Sequence, residues 1–595
     1  MIPYTAPTKD MQFVLDTVCD WPSITAIPRF AEASSDLVAQ VLEEAGRFSA
    51  NVIAPIGPRG DRDGSRLTDG EVHTPEGYRQ AYRQYVEGGW NSLAADPDWG
   101  GQGLPFALAT AVQETWTAAD ISFSLCPMLT QSAIEALTRH GTEAQRRLYL
   151  RKLITGEWTG TMNLTEPQAG SDVGALKTRA EPNGDGSYAL RGQKIYITWG
   201  EHDMAENIVH MVLARTPGAP AGTKGLSLFL VPKFLPDEAG NPGARNDILC
   251  SKLEEKMGIH ASPTCVLLYG ENEGATGWLV GEEHKGMALM FTMMNHARIN
   301  VGLEGVAVAE RAYQAAAAFA RERVQSADIA DKAGGPVPII RHGDVRRMLM
   351  SLRAHTEAAR ALTYLNAAAV DRAAAAEDAE TRKAQQGLAD LLTPVTKAFA
   401  TDIGVEAASL AIQVHGGMGF IEETGIAQLY RDCRIAPIYE GTNGIQAIDL
   451  AGRKLAQDEG AHWKRFFAEI RDFAGDLPGA GDLGAIGPYL EDGVEALQHA
   501  AVWLAGNEGE AVRDTAAGAT PFLRMFGTIA GGYLLARQAA EAARRIEGGS
   551  NDPFLKAKIA TARYFAEQHL PPATALLGPV TRGAESLYAL EEEEF

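Results

Sequence analysis

The 595-residue chain has few cysteines and no long hydrophobic run. Its five cysteines are scattered and form no CxxC pair: Cys19, Cys126, Cys250, Cys265 and Cys433. A disulfide framework is therefore not expected, nor is a zinc or other metal site. No stretch of about 18 uncharged apolar residues occurs, and the first residues lack the basic and apolar regions of a signal peptide. We expect a soluble, cytoplasmic protein without a membrane segment.

Positive charge is also scarce. Lys and Arg number 54 against 76 Asp and Glu, so the net charge is −22 and the pI is near 5.1. This charge repels a phosphate backbone, so nucleic acid and anionic membranes are not expected partners. The composition, with 45% hydrophobic and 22% charged residues, is that of a globular protein too long for a single core.

Several familiar cofactor and catalytic motifs are missing. No GxGxxG follows a predicted strand, and the chain has no GxxxxGK[ST], HExxH or GxSxG. These absences exclude Rossmann, P-loop, zincin and α/β-hydrolase sites. The glycine clusters WGGQGLP and HGGMGF, taken alone, indicate loops or helix caps.

Apolar periodicity divides the chain into four predicted parts. From about Phe30 to Ile154 the apolar residues have helical spacing, and Gly141 marks the end of one of the helices. This predicts an all-helical N-terminal domain, residues 1–155. Between 156 and 280 the period becomes two, in runs such as NIVHMVLA and GLSLFLV, which predicts a β-domain.

Helical spacing then returns for the rest of the chain. One helix is predicted from Gly286 to about Gln325, near 60 Å long at roughly 1.5 Å per residue. Helices over 342–374 and 383–414, the second with Pro394 as a kink site, complete a bundle at 281–455. After about Lys454 an appended domain is expected, residues 456–595, in which PGAGDLGAIGP is a flexible connection that leads into amphipathic helices. Its predicted helices lie near 489–505, 521–547 and 553–569.

Two polar segments accompany the predicted β-domain. MNLTEPQAGSD, Met162–Asp172, offers backbone N–H groups and two hydroxyls to a polar planar ligand, unless it is an ordinary crossover turn. KIYITWG, Lys194–Gly200, places Tyr196 and Thr198 on one face of a strand. A ring and a hydroxyl there could line the same ligand, although a plain core strand has the same pattern.

A third segment, RIAPIYEGTNGIQ, places a carboxylate at the end of an apolar stretch. Glu440 stands between bulky apolar residues and a Gly-Thr-Asn-Gly turn. Burial there would raise the proton affinity of Glu440, which suits a general base acting on a weak carbon acid. The alternative is a helix N-cap or a surface glutamate.

Together and in this order, the three segments resemble the acyl-CoA dehydrogenase family. The likeness extends over about residues 60–455 and includes an ARxxxGLEGVAVAERAYQ helix followed by RERVQ, and QVHGGMGF. The N-terminal stretch and the appended domain resemble the long bacterial branch of the family. The resemblance implies a mainly α fold with a central β-barrel-like domain: a helical N-terminal domain, that middle domain, a helical bundle and a C-terminal helical extension.

The resemblance also implies FAD as the cofactor. Residues implied to contact it are Leu164, Thr165, Gly170, Ser171, Tyr196, Thr198 and Thr442. Residues implied to reach FAD across a subunit interface are Arg323, Gln413, Gly416 and Gly417. The family pattern therefore implies at least a dimer, and if the appended domain covers the surface through which shorter relatives form tetramers, a homodimer is expected. The alternative role of that domain is a helical cover over an apolar face.

By the same resemblance Glu440 matches the catalytic base. Residues implied to contact the acyl-CoA substrate are Ser171, Asn295, Arg298, Tyr439 and Gly441. Some relatives place the base on the long helix, two residues after Asn295, but this chain has Ala297 there, which cannot accept a proton. For Arg298 an ion pair within the helix is an equally good interpretation.

The implied reaction is α,β-dehydrogenation of an acyl-CoA thioester to the trans-2-enoyl-CoA. The expected substrate is 3-(methylthio)propanoyl-CoA or a short- to medium-chain acyl-CoA, and the expected electron acceptor is electron-transferring flavoprotein. Three alternatives remain open: an acyl-CoA oxidase that uses O2, a low-activity FAD-binding regulatory or DNA-associated relative, and a scaffold without flavin.

Overall fold

A computed structural model describes residues 3–237, 239–507 and 511–595. The chain divides into two compact units. The first contains Arg47–Leu104 and Ala119–Asn300, and the second contains the chain up to Gly46 with Pro105–Ala118 and Val301–Phe595. Within the described ranges, no helix combines the length and apolarity needed to cross a membrane. The predicted class, mainly helical with a central sheet and a helical C-terminal extension, is confirmed.

The α-helices of the described chain are α1 (Thr8–Thr17), α2 (Trp21–Thr25), α3 (Ser35–Phe48), α4 (Gly57–Asp63), α5 (Tyr78–Glu87), α6 (Phe106–Ala119), α7 (Ile121–His140), α8 (Glu143–Gln145), α9 (Arg151–Thr155), α10 (Gly286–Glu322), α11 (Gly343–Ala375), α12 (Ala379–His415), α13 (Ile426–Cys433), α14 (Asn443–Ile448), α15 (Ala461–Asp476), α16 (Gly481–Gly484), α17 (Gly487–Ala505), α18 (Val512–Glu547), α19 (Pro553–Ala575) and α20 (Leu577–Thr581). The strands are β1 (Arg66–Thr68), β2 (Glu71–His73), β3 (Trp158–Asn163), β4 (Arg179–Pro182), β5 (Tyr188–Thr198), β6 (Asn207–Ala214), β7 (Ser227–Pro232), β8 (Phe234–Pro236), β9 (Pro242–Arg245), β10 (Ile248–Leu253), β11 (Thr264–Tyr269), β12 (Ala275–Val280), β13 (Val324–Asp328) and β14 (Asp331–Pro338).

The first unit is built around an eight-stranded mixed sheet. Its order is β10-β11-β5-β12-β7-β6-β3, and β4 pairs with β5. Strands β3 and β6 of this sheet pair in parallel, with Trp158 opposite Asn207 and Asn163 opposite Val212. Every residue of β3 is buried, because α7 packs against it. A Cβ at Gly160 would lie 2.5 Å from the Cβ of Ala133, so only glycine allows this close approach of strand and helix.

The prediction of an all-helical N-terminal domain is wrong at one place, the β1–β2 hairpin. Asp69 and Gly70 connect the two strands with φ of +52° and +82°. An Asp-Gly pair in this conformation is a favoured two-residue hairpin turn, because both positions need positive φ. The Asp-Gly dipeptide was a signal for this turn, but the helical spacing of the apolar residues on both sides of it led to a helical prediction.

The long helices of the second unit agree with the sequence. Helices predicted over 342–374 and 383–414 are confirmed as α11 and α12, and α12 continues through Pro394. The helix predicted from Gly286 to about Gln325 is α10, which ends at Glu322 because the β13–β14 hairpin begins immediately after it. The helices predicted near 489–505, 521–547 and 553–569 are confirmed as α17, α18 and α19, of which α18 is longer than predicted.

The C-terminal helices pack directly on the bundle. In α18, a Cβ at Gly527 would lie 2.5 Å from the Phe399 ring of α12, and a Cβ at Gly531 would lie 3.0 Å from the Cβ of Ala358 in α11. These two glycines, one helical turn apart, form the small face through which α18 contacts both helices. The appended domain therefore covers part of the bundle, which agrees with its alternative role as a helical cover.

A buried ionic cluster joins the first helix to this bundle. The Arg360 guanidinium donates to Glu114, Asp10 and Glu310 at 2.7 Å each, and only 1% of its side chain is exposed. Lys558 of α19 donates to Asp10 as well. These buried charges are tolerated because each of them lies within hydrogen-bonding distance of a group of opposite charge.

Candidate active site

A buried ion pair between Glu166 and Lys194 joins the loop after β3 to strand β5. Lys194 Nζ lies 2.8 Å from Glu166 Oε1 and 2.9 Å from the carbonyl oxygen of Leu164. The side chains of Glu166 and Lys194 are 4% and 0% exposed. The Ile195 N–H also donates to the Thr165 carbonyl at 2.9 Å. The two polar segments singled out in the sequence therefore form one local structure.

Glu166 has a structural role in this loop. It accepts hydrogen bonds from the Lys177 N–H at 2.6 Å and from the N–H and hydroxyl of Thr178 at 3.0 and 2.6 Å. Burial by itself would raise the pKa of Glu166, but Lys194 and these donors lower it to about 2. Burial lowers the pKa of Lys194 to about 8 against the attraction of Glu166. Both groups are therefore charged at neutral pH.

A β-bulge turns Tyr196 away from the core. At residues 195–196 the register between β5 and β11 shifts, so that two residues of β5 oppose one of β11. Tyr196 has φ of +59° and is 61% exposed, whereas Lys194, two positions earlier, is fully buried. In a regular strand these two side chains would share a face. The bulge reverses the alternation, so that Tyr196 and half-buried Thr198 face the accessible side.

The loop residues predicted to contact FAD are accessible as well. Leu164 and Thr165 are half-buried and Gly170 and Ser171 are exposed, although β3 just before them is fully buried. Among the described residues, no heavy atom lies within 4 Å of the position that a Cβ would take at Gly170. The loop thus presents backbone and hydroxyl groups to an open surface.

Glu440 lies in a left-handed turn. Its φ is +54°, and that of Gly441 is +81°. The left-handed region costs a non-glycine residue roughly 1–2 kcal/mol, so the surroundings must fix it. Thr442, not Glu440, caps α14, with its hydroxyl accepting from the Ile445 N–H at 3.2 Å. The N-cap interpretation of Glu440 is therefore wrong, and Glu440 is a half-buried residue of the turn itself.

Asn443 anchors this turn on α12. Its Nδ2 donates to Asp402 Oδ1 at 2.7 Å and to Thr401 Oγ1 at 3.0 Å, and its Oδ1 accepts from Lys397 Nζ at 2.9 Å. Its backbone N–H donates to the Pro437 carbonyl at 2.9 Å. Lys397 is fully buried, whereas Asn443 and Asp402 are half-buried.

Tyr439 anchors the other side of the turn on α10. Its hydroxyl lies 2.7 and 2.6 Å from Oε1 and Oε2 of Glu304, which is 1% exposed. Burial raises the pKa of Glu304 to about 8, although the hydrogen bond from Tyr439 and the charge of Lys397 lower it, and the charge of Glu440 adds to the rise. Glu304 is therefore mostly protonated at neutral pH.

Asn295 and Arg298 lie on the part of α10 that belongs to the first unit. Asn295 is half-buried and Arg298 is 5% exposed. The Arg298 guanidinium lies 5.8 Å from the centroid of the Phe291 ring. No acidic residue stands three or four positions from Arg298 along the chain. Ala297 is fully buried.

The residues predicted to reach FAD of a neighbouring chain lie at one end of the bundle, on exposed positions at or after the ends of α10 and α12. They are Arg323, Gln413, Gly416 and Gly417. The rings of Phe319 and His415 stack with centroids 4.4 Å apart and planes at 26°, which brings the two helix ends together.

Sequence reasoning missed the residues that hold these segments in place. They are Glu166, Lys194, Glu304 and Asn443. The available signal was a single charged residue inside an apolar run, as for Glu304 in VGLEGVAV. Lys194 and Tyr439 stand 28 and 135 residues from their acidic partners, so spacing could not pair them.

Most of the chain matches known family domains, which follow one another along the sequence. The acyl-CoA dehydrogenase N-terminal domain matches residues 35–157, the middle domain matches 161–271 and the C-terminal domain matches 284–455. A fourth, acetyl-CoA dehydrogenase C-terminal like, matches residues 466–591.

Relatives match over nearly the full length of the chain. The chain is 47% identical to 3-methylmercaptopropionyl-CoA dehydrogenase of Ruegeria pomeroyi, covering 98% of this chain and 99% of that protein. It is 34% identical to a butyryl-CoA dehydrogenase of Syntrophomonas wolfei, covering 100% and 99%. Among solved structures, ACDH-11 of Caenorhabditis elegans in complex with C11-CoA has a TM-score of 0.77 at 22% identity, covering 96% and 92%.

The helical regions, the central sheet and the order of the matched domains define an oxidoreductase, an acyl-CoA dehydrogenase. The chain belongs to the acyl-CoA dehydrogenase family.

Proposed function

We propose that this chain is an FAD-dependent dehydrogenase that converts an acyl-CoA thioester to the trans-2-enoyl-CoA. The observation that carries the proposal is the left-handed turn at Glu440, fixed by Tyr439 on one side and Asn443 on the other. The favoured substrate is 3-(methylthio)propanoyl-CoA, followed by short- and medium-chain acyl-CoA. The 47% identity to 3-methylmercaptopropionyl-CoA dehydrogenase of Ruegeria pomeroyi supports this choice.

Glu440 is the general base of the proposed reaction. Its carboxylate accepts the proton from the α-carbon of the thioester, while the backbone N–H of the same residue donates to the thioester oxygen and stabilises the developing enolate charge. Tyr439 and Gly441 flank the thioester. A rigid turn suits this role because the carboxylate and the N–H must keep one relative geometry through the reaction.

FAD fits the accessible residues of the first unit. An exposed aromatic ring at Tyr196, the hydroxyls of Thr165, Ser171 and Thr198, and the open backbone at Gly170 match a flat, polar cofactor. Leu164, beside Thr165, and Thr442, at the α14 cap, are the further contacts proposed. FAD supplies, when bound, the acceptor for the hydride that leaves the β-carbon.

The remaining proposed substrate contacts are polar residues outside the turn. They are Ser171, Asn295 and Arg298, which would bind the CoA arm. Because the chain has a net charge of −22, an anionic CoA needs a local positive charge for binding, and the Arg298 guanidinium would supply one.

A homodimer and electron-transferring flavoprotein are the proposed partners. Arg323, Gln413, Gly416 and Gly417 would contact the FAD of the second subunit, which their exposed position at one end of the bundle allows. Electron-transferring flavoprotein would reoxidise the cofactor. A cytoplasmic location and the four domains 1–155, 156–280, 281–455 and 456–595 belong to the same proposal.

Steady-state rates over a panel of acyl-CoA thioesters, with an artificial electron acceptor, test the proposed substrate. The highest kcat/KM is expected for 3-(methylthio)propanoyl-CoA, and a branched or long-chain substrate above it would contradict that choice. Hydrogen peroxide formed in step with substrate consumption would establish the oxidase instead. Electron-transferring flavoprotein in place of the artificial acceptor should sustain turnover without peroxide.

A further inference from the structure

Glu304 lies where helices α10 and α12 approach each other closely. A Cβ at Gly302 would lie 2.8 Å from the Thr396 carbonyl oxygen, and one at Gly305 would lie 1.9 Å from that of Ala400. The backbones of α10 and α12 therefore touch on both sides of Glu304, with no room for side chains at those glycines. Helices in such contact cannot shift independently, so Glu304 is a rigid point of attachment.

This rigid carboxyl is bonded to the residue next to the proposed base. The Tyr439 hydroxyl contacts both oxygens of Glu304, at 2.7 and 2.6 Å. Tyr439 directly precedes Glu440, whose φ of +54° needs outside support. Asn443 supplies one anchor, on α12, and the Tyr439–Glu304 bond supplies the other, on α10. The Gln446 amide adds weak contacts to the carbonyls of Glu440 and Gly441 at 3.4 and 3.3 Å.

Burial favours the protonated form of Glu304, against the hydrogen bond from Tyr439 and the positive charge of Lys397. The groups that interact with it are Tyr439 and Glu440 in the turn, Lys397 on α12 and Cys433 on α13. Burial raises the pKa of Glu304 to about 8, and the negative charge of Glu440 contributes to the rise. With Glu304 neutral, Glu440 can hold the single negative charge of the pair, as a general base requires.

We infer that Glu304 is a positioning residue that acts through Tyr439 to hold the Glu440 carboxylate in its working conformation. The inference rests on the proposed function, because it assigns Glu440 as the base. What Glu304 contributes is a hydrogen-bond acceptor in a fixed place, and it needs no negative charge to do so.

Two substitutions at one position separate these properties. Glu304→Gln keeps an acceptor and removes the ability to ionise, whereas Glu304→Leu removes the acceptor at similar volume. Because misplacement of a reacting group costs rate more than binding, kcat should fall about tenfold or more in Glu304→Leu, with KM for the acyl-CoA within about twofold. Glu304→Gln should restore most of this loss at about pH 6.5, where the native carboxyl is neutral.

Tyr439→Phe is the second test, and it removes a single oxygen atom. It should lower kcat to the extent that Glu304→Leu does, and the double variant should be no worse than either single variant, because all three lose the same bond. Tyr430→Phe, on α13, is the matched control, since among the described residues no side-chain hydrogen bond to the turn involves its hydroxyl. If the Glu304→Leu variant does not fold, the kcat of the Tyr439→Phe variant is the test of the positioning role of Glu304.

Infrared spectroscopy gives a readout that does not depend on turnover. The difference spectrum between the wild type and Glu304→Gln should contain a protonated-carboxyl C=O band at about pH 6.5 that disappears above about pH 9. The difference is needed because burial also raises the pKa of Asp371, to about 7. A difference spectrum without this band at about pH 6.5 would overturn the neutral state of Glu304.

The kinetic outcomes distinguish the two proposals. An active wild type whose Glu304→Leu and Tyr439→Phe variants keep native kcat would overturn the role of Glu304 alone. Equal losses in Glu304→Gln and Glu304→Leu would overturn it too, because an acceptor would then be insufficient. A wild type that dehydrogenates no acyl-CoA would overturn the proposed function and the role of Glu304 with it.

Discussion

Lys194 Nζ lies 2.8 Å from Glu166 Oε1, and neither side chain is more than 4% exposed. This pair fastens the TEPQAGSD loop to the strand that carries Tyr196. An ion pair in the interior is not a large net source of stability, because removing two charges from water offsets their attraction. Its role here is to fix the position of the loop relative to the strand, so that the accessible residues of both face the same surface.

Breaking this pair from one side should be costly. Lys194→Met leaves the Glu166 carboxylate buried without its counter-ion, which should lower the free energy of unfolding by about 3–5 kcal/mol. Urea unfolding followed by circular dichroism measures the change. Lys177→Met, at an exposed position in the same region, is the control and should have little effect. A loss below about 1 kcal/mol in Lys194→Met would mean that the pair is not closed in solution.

Stability should depend on pH through Glu304. Its pKa is raised to about 8 from the ordinary value of 4.5, so between these values the native state holds a proton that the unfolded chain releases. The contribution is therefore complete below about pH 4.5 and is lost as the pH rises towards 8. Relative to Glu304→Gln, the wild type should lose up to about 1.4 kcal/mol of unfolding free energy per pH unit in that window. Parallel curves for the two proteins would show that Glu304 ionises normally.

The contact between α18 and the bundle should tolerate no side chain at Gly527. A Cβ there would lie 2.5 Å from the Phe399 ring, so Gly527→Ala should cost about 1–3 kcal/mol through overpacking. In α15 the exposed Gly475 has no described heavy atom within 4 Å of its Cβ position. Gly475→Ala should therefore raise the thermal midpoint, since alanine favours the helix by about 0.5–1 kcal/mol. Shifts of the same sign in both variants would contradict this packing.

Long periodic segments of the fold were predictable from the sequence. The apolar spacing identified α11 and α12 to within a few residues. It failed where short-range turn chemistry decides, as in β1–β2 and β13–β14. No helix was predicted where α15 lies, although Trp463, Phe466 and Phe467 are buried there at helical spacing. The proline and glycine run that follows α15 dominated that part of the prediction.

The site was predictable to a lesser degree. Motif order pointed to Glu440 and to the loop and strand of the first unit, but not to the conformations that matter there. The bulge at Tyr196 and the left-handed backbone of Glu440 depend on contacts with residues far along the chain. A lone acid in an apolar helix, such as Glu304, becomes informative only when its partner is known.

The most direct test of the account is the rate at which substrate reduces the bound flavin in a single turnover. Glu440→Gln should keep its flavin and bind acyl-CoA, but flavin reduction should slow by about 100-fold or more, because the amide cannot accept the α-proton. Glu423→Gln, at an exposed glutamate, should reduce its flavin at the native rate. Reduction of Glu440→Gln within a few fold of the wild type would contradict the assignment of Glu440 as the base.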